Sequence, residues 1–273
     1  MVGGAAKLTA ADPVAPTLHF HDSEVTSRSV RQRRFDLDRQ GRRVPAMLWT
    51  PEEGGGPRLL VMIGHGAAQT KSAPYVVALG RTLVRHHGIA AVSIDGPVHG
   101  DRRLDGSIDG SLAMLEFAQR WADDHTLVDD MVADWRAVLA AVQELEEVGA
   151  GPVGYWGVSM GTILGLPLVV AEPAISVAVL GLWGLAGPGK ARLSADAASV
   201  QCPVLFLVQW DDDLCPRHRQ FELFGALGTT DKRLHANPGA HSAIPPEEFV
   251  GSIRFLADHL SPGQPERAIA PAG

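Results

Sequence analysis

Gly157-Val158-Ser159-Met160-Gly161 is a G-x-S-x-G run between an apolar strand candidate, Val153-Gly154-Tyr155-Trp156, and a helix-compatible run, Thr162-Ile163-Leu164-Gly165-Leu166. A tight strand-to-helix turn of this kind pushes a serine hydroxyl out above a sheet. Glycines two residues to either side leave room for neighbouring backbone. The helix that follows points its free N–H groups and positive dipole end at the hydroxyl. Ser159 is therefore the candidate nucleophile.

The rest of the chain reads outward from that turn as alternating strands and helices. Apolar patterns at 30–37 and 44–49 flank Asp38-Arg39-Gln40-Gly41 and predict an opening hairpin. Residues 59–63 suit a buried strand. A helix follows, with Pro74 near its start, Val76, Leu79 and Leu83 on one face, and Gly88 as its stop. Residues 89–94 predict the next strand. Met131, Trp135, Val138, Val142 and Leu145 form one buried stripe on a helix over 128–148. After Ser159 come apolar runs at 175–182 and 204–208, a strand-like run at 232–236, and a last helix from Pro245-Pro246, with Phe249, Ile253, Leu256 and Leu260 facing inward. Strands separated by helices predict a mainly parallel α/β sheet covered on both faces, with ligands bound at the C-terminal strand ends.

A chain of 273 residues fits one large α/β domain, placed at 25–260. Residues 1–24, rich in Ala, Gly and Pro, predict a flexible arm, and 261–273 predict a disordered tail. Hydrophobic content of 45% and charged content of 20% describe a globular chain. The net charge of −7 and the lack of a Lys/Arg cluster speak against a nucleic-acid partner. Two cysteines, Cys202 and Cys215, fit a reduced protein without a disulfide framework. No apolar run reaches membrane-span length, and residues 1–15 lack a secretory apolar core, so a cytoplasmic protein without a membrane partner is expected.

A serine hydroxyl needs a base to take its proton and an acid to orient that base. In the strand–turn–helix arrangement of Ser159 both follow in sequence. Gly181-Leu182-Trp183-Gly184-Leu185 carries no carboxylate, whereas Asp211, Asp212 and Asp213 follow the 204–208 strand. Four histidines lie downstream. His259 ends the last helix, His235 sits inside the strand-like run, and His218 belongs to a polar helix start. Only His241, in Pro238-Gly239-Ala240-His241-Ser242, has a loop perch at a strand's C-terminal end, and it is the expected base. An oxyanion needs two pre-aimed backbone N–H donors. Met160 is one. The other comes from Gly64-His65-Gly66-Ala67-Ala68, where Ala67 is the choice and Gly66 and Ala68 are the alternatives.

With these motifs in place, the chain resembles the α/β-hydrolase superfamily over most of residues 30–260. It is most similar to the small-capped dienelactone-hydrolase-like serine esterases and related acyl-peptidase-like hydrolases. His65-Gly66 followed by small residues and Lys71 resembles their oxyanion loop, Asp95-Gly96-Pro97-Val98-His99-Gly100-Asp101-Arg102 the loop after their fourth strand, and Gly239-Ala240-His241 their histidine loop. The resemblance selects Asp212 as the acid, four residues before Pro216. It implies an α/β-hydrolase fold with a mainly parallel eight-stranded sheet, helices on both faces and at most a small cap. The implied activity is hydrolysis of small-molecule carboxylic esters through an acyl-enzyme. An acyl-peptidase or acyltransferase with the same triad, or a binding protein on a hydrolase scaffold, is the alternative. Two departures stand out. Gln209-Trp210 replaces the family's glycine before the acid and implies a bulkier pocket edge, and serine at 159 replaces the cysteine of true dienelactone hydrolases, which favours ordinary esters.

Trp156, Trp183 and Trp210 near strand ends, with His65 bracing the loop, are the expected pocket residues. Residues 103–127 are expected as a partial cap, and Arg102 at the mouth as a contact for an acidic substrate group, unless it ties down its own loop. His19-Phe20-His21 and His86-His87 lack clustered ligands, and no Gly-rich phosphate fingerprint is present, so no metal or cofactor is expected.

Overall fold

In the computed structural model, which describes residues 17–54 and 56–261, the strands build one twisted sheet. β1 (Thr17–Ser27), β2 (Val30–Arg39) and β3 (Arg42–Pro51) are antiparallel neighbours, and β3 pairs antiparallel with β5 (Ala90–Ile94). From β5 onward every pairing is parallel, through β4 (Arg58–Gly64), β6 (Val148–Gly157), β7 (Ile175–Gly181), β8 (Val204–Gln209) and β9 (Lys232–Asn237). The order is β1-β2-β3-β5-β4-β6-β7-β8-β9. The predicted hairpin is the β2–β3 turn, where Gln40 and Gly41 adopt positive φ and Asp38 accepts the Gly41 N–H at 2.6 Å.

Among the described residues the sheet thus has nine strands rather than the expected eight. The additional strand is β1, and its residues 17–24 fall in the stretch expected as a flexible arm. Composition concealed it because β1 is mostly exposed and is held by backbone pairing along β2, with Phe20 against Phe35 at 5.5 Å. The remainder of that arm, 1–16, and the predicted tail at 262–273 lie outside the described residues.

α1 (Pro74–Thr82) and α7 (Pro246–Leu260) cover one face of the sheet through Val76, Leu79, Ile253 and Leu256. The other face carries α2 (Gly110–Asp123), α3 (Leu127–Gln143), α4 (Met160–Ala171), α5 (Lys190–Ser199) and α6 (Arg217–Ala226). α4 is apolar on all sides and buried along most of its length, which fixes the turn that precedes it. α3 ends at Gln143 rather than running to 148. Glu144, Glu146 and Glu147 crowd a helix end that is already electronegative, and Val148 begins β6 instead. Cys202 and Cys215 are free thiols. Among the described residues no helix is long and apolar enough to cross a membrane.

Candidate active site

Ser159 stands between β6 and α4 with φ 59° and ψ −120°, a conformation that costs a non-glycine residue energy and persists only under tertiary constraint. The constraint is visible. Ser159 N–H donates to the Gly181 carbonyl at 2.9 Å, and the Thr162 hydroxyl accepts the Gly181 N–H at 2.8 Å. The turn also packs against the end of β4, where a Cβ on Gly161 would stand 2.9 Å from the Gly64 carbonyl oxygen. That close approach is why position 161 is glycine.

Three distant segments converge on this hydroxyl. His241 Nε2 lies 2.9 Å from Ser159 Oγ, and His241 Nδ1 lies 2.8 Å from Asp212 Oδ2. Asp212 Oδ1 accepts the N–H groups of Leu214 and Cys215, and Oδ2 accepts from Gln220 at 2.8 Å. Burial would raise the Asp212 carboxyl, but the hydrogen bonds from His241 and from the Cys215 and Leu214 N–H groups outweigh it and hold it below its ordinary value. All three consecutive aspartates grip the histidine loop. Asp211 accepts the Gly239 N–H, Asp213 accepts the His241 N–H, and only Asp212 reaches the ring. The other downstream histidines lie elsewhere: His235 meets Glu248 at 2.9 Å, His259 the Phe255 carbonyl at 2.7 Å, and His218 lies on α6.

The loop after β4 is braced by two histidines of one design. His65 Nδ1–H donates to the Gly66 carbonyl and Nε2 accepts the Gly96 N–H at 2.8 Å. His99 Nδ1–H donates to the Pro97 carbonyl and Nε2 accepts the Ala68 N–H at 3.3 Å. Burial, and next the neighbouring His99, lower the His65 pKa to about 4, so its imidazole is neutral. The Gly66 N–H is taken by the Tyr75 hydroxyl at 2.8 Å. Of the three oxyanion candidates in this loop, Gly66 and Ala68 are therefore occupied. Ala67 and Met160 are the two N–H groups beside Ser159 with no acceptor among the described residues.

A cavity of about 260 Å³ opens over Ser159, lined by Ala67, Tyr75, Leu182, His241, Ile244 and Phe249 among others. None of the three expected tryptophans lines it. Trp156 is buried, donates to Ser252 and packs behind Tyr75 and Phe249. Trp183 packs edge-on to Trp121 at 5.9 Å, and Trp210 is about half exposed under the Arg217 guanidinium. The bulky pocket edge expected from Gln209-Trp210 is absent, because Gln209 turns inward and donates to the Ala243 carbonyl at 2.7 Å, bracing the histidine loop. His65 is a loop brace rather than a lining residue. Arg102 is also displaced from the expected role. It is buried, donates to the Asp95 carbonyl at 2.7 Å and pairs with Asp134 at 2.8 Å. Residues 103–127 place Phe117 and Trp121 against His99 and Trp183 and contribute nothing to the Ser159 cavity; Ile108 and Ala113 line a neighbouring one of about 460 Å³.

Tyr75, Leu182, Ile244 and Phe249 escaped the sequence reading as pocket residues. Phe249 read as part of an inward helix face, and the only signal for Tyr75 is its place directly after the helix-starting Pro74. Among the described residues no three His, Cys, Asp or Glu side chains gather as a metal-binding group.

No family model matches the chain, and no curated protein matches it. Among solved structures it is similar to a cold-adapted esterase from an Arctic intertidal metagenomic library, at 38% identity and a TM-score of 0.77, over 88% of this chain and 99% of that one. It is also similar in fold to acetyl xylan esterase 1 from a Thermoanaerobacterium species, at 16% identity and a TM-score of 0.66, over 91% of this chain and 89% of that one. A 2,6-dihydroxy-pseudo-oxynicotine hydrolase shares the fold at 19% identity and a TM-score of 0.64, over 88% of this chain and 70% of its own.

Proposed function

The chain belongs to the α/β-hydrolase superfamily, and from that premise we propose that it is a serine carboxylesterase acting on small to medium esters through an acyl-enzyme. The observation that carries this reading is the unbroken line Asp212–His241–Ser159, with contacts of 2.8 and 2.9 Å. That line ends in a cavity where the N–H groups of Ala67 and Met160 have no acceptor among the described residues. The name of the Arctic relative, an esterase, points the same way.

Ser159 Oγ attacks the ester carbonyl while His241 Nε2 takes its proton. Asp212 holds the ring in the tautomer that bares Nε2 and stabilises the imidazolium. The N–H groups of Ala67 and Met160 receive the tetrahedral oxyanion. His241 then protonates the leaving alcohol, and water reverses the sequence at the acyl-enzyme. A cavity of about 260 Å³ walled by Leu182, Ile244 and Phe249 suits short acyl or alcohol groups.

The test is hydrolysis of p-nitrophenyl esters from acetate to octanoate by the wild type and Ser159→Ala side by side. We expect turnover in the wild type, greatest on the shorter esters, and its loss in the variant. A wild type inactive on every ester, or a Ser159→Ala enzyme that keeps its rate, refutes the reading.

A further inference from the structure

Tyr75 enters the Ser159 cavity from the first turn of α1, where Pro74 sets the helix start. Its phenol oxygen accepts the Gly66 N–H at 2.8 Å. A tyrosine hydroxyl has a proton to donate as well, and among the described residues no acceptor takes it. Polar groups in protein interiors ordinarily find partners, and the open volume beside this residue is the cavity that Tyr75 lines together with Ser159, Ala67 and His241.

The hydroxyl stands close to the reacting centre. A methyl group on Gly66 would lie 3.8 Å from the Tyr75 oxygen and 3.9 Å from Ser159 Cβ. The N–H that Tyr75 binds immediately precedes Ala67, one of the two vacant donors. The ring is packed against Trp156 at 5.8 Å and Phe249 at 6.1 Å, which limits its freedom to turn away. Accepting the Gly66 N–H polarises the phenol and makes its own O–H the stronger donor.

We propose that the Tyr75 O–H is a third donor to the oxyanion, beside the N–H groups of Ala67 and Met160; this inference rests on the esterase reading. As the carbonyl becomes tetrahedral, its oxygen gains charge and the bond from Tyr75 tightens. Such a bond stabilises the transition state more than the bound ester. No proton is transferred, and Tyr75 leaves the cycle as it entered, a neutral phenol. Burial raises its pKa, partly offset by the Gly66 N–H, so it keeps its proton through neutral pH. The titratable groups facing it are His241 across the cavity and the buried Tyr155 phenol beyond the end of β4.

The competing role is a brace that merely accepts the Gly66 N–H, and the two respond oppositely to ionisation. A phenolate is a better acceptor for Gly66 but cannot donate, and it repels an oxyanion. The experiment compares the wild type, Tyr75→Phe, and enzyme carrying the more acidic 3,5-difluorotyrosine at position 75. The probes are p-nitrophenyl butyrate and an oxyanion-forming trifluoromethyl ketone inhibitor. We expect Tyr75→Phe to lower kcat about 10- to 100-fold, the range for a hydrogen bond to a charged group, with KM little changed and ketone affinity reduced in parallel. The fluorotyrosine enzyme should lose activity at alkaline pH as its phenol ionises, where the wild type does not. An unchanged kcat in Tyr75→Phe, or activity that holds or rises as the fluorotyrosine ionises, overturns the inference and leaves the esterase reading standing. Absence of Ser159-dependent turnover in the wild type overturns the esterase reading, and the inference with it.

Discussion

Two polar clusters sit at the C-terminal ends of the parallel strands, and they are built on opposite plans. Around Ser159, whose hydroxyl meets His241, the N–H groups of Ala67 and Met160 and the proton of the Tyr75 hydroxyl have no acceptor among the described residues. Around Asp95 and Asp134, each charge closes on another. Lys71 Nζ lies 2.6 Å from both Asp95 and Asp101, and Asp134 receives Arg39, Arg42 and Arg102 at 2.7, 3.0 and 2.8 Å. The second cluster is the more highly charged, and Lys71 and Asp101 border the neighbouring cavity of about 460 Å³, yet their charged ends are bound to one another rather than left open to it. What distinguishes the Ser159 cluster is spare hydrogen-bonding valence, not the density of charge or the presence of a cavity.

The largest effect tests the first cluster as a unit. Alanine at Ser159 or at His241 should each lower kcat by about 10⁴-fold or more, and the double variant should be little worse than either, because the groups act together. Losses that multiply would mean that the two side chains work independently. The charged cluster should behave in the reverse way. Asp134→Ala leaves the buried Arg102 guanidinium without its carboxylate, at a cost of about 3–5 kcal/mol in urea unfolding, while kcat of the folded enzyme changes little. A large fall in kcat at unchanged stability would erase the distinction between the clusters.

A subtler effect arises where the two clusters meet, at the histidine braces. His65 titrates near 4 in the folded protein and near 6.5 when unfolded. Above 6.5 neither state binds a proton there, and the stabilisation is complete. As pH falls from 6.5 towards 4 the unfolded chain takes up a proton that the native ring refuses, so stability is lost through that window, by on the order of 3 kcal/mol. His99 is lowered in the same direction, chiefly by burial, and adds to the slope. Unfolding free energies across this range should fall less steeply for His65→Gln than for the wild type; identical slopes would remove His65 as the acid-sensitive element.

Much of this protein was legible before any tertiary structure. The apolar runs at 59–63, 89–94, 153–156 and 204–208, the helix-starting prolines Pro74 and Pro246, and the glycines around Ser159 are each determined by neighbours a few residues away. The alternation of strands and helices then requires a parallel sheet and places Ser159 at a strand end. Other features belong to tertiary structure alone. Asp211, Asp212 and Asp213 are chemically equivalent in the chain; the family resemblance singled out Asp212, and the physical reason, the path of the histidine loop that puts the middle one against the ring, is tertiary. β1 exists because β2 offers it an edge, not because its own pattern demands a strand. Tryptophans near strand ends read as pocket walls, yet the direction each faces is set by α7, α2 and the surface rather than by its neighbours in sequence. Arg102 and Gln209 likewise turned inward to meet charges and carbonyls contributed from 32 and 34 residues away. Which residues can do chemistry follows from local pattern. Which of them keep a valence free to do it depends on every element that packs around them.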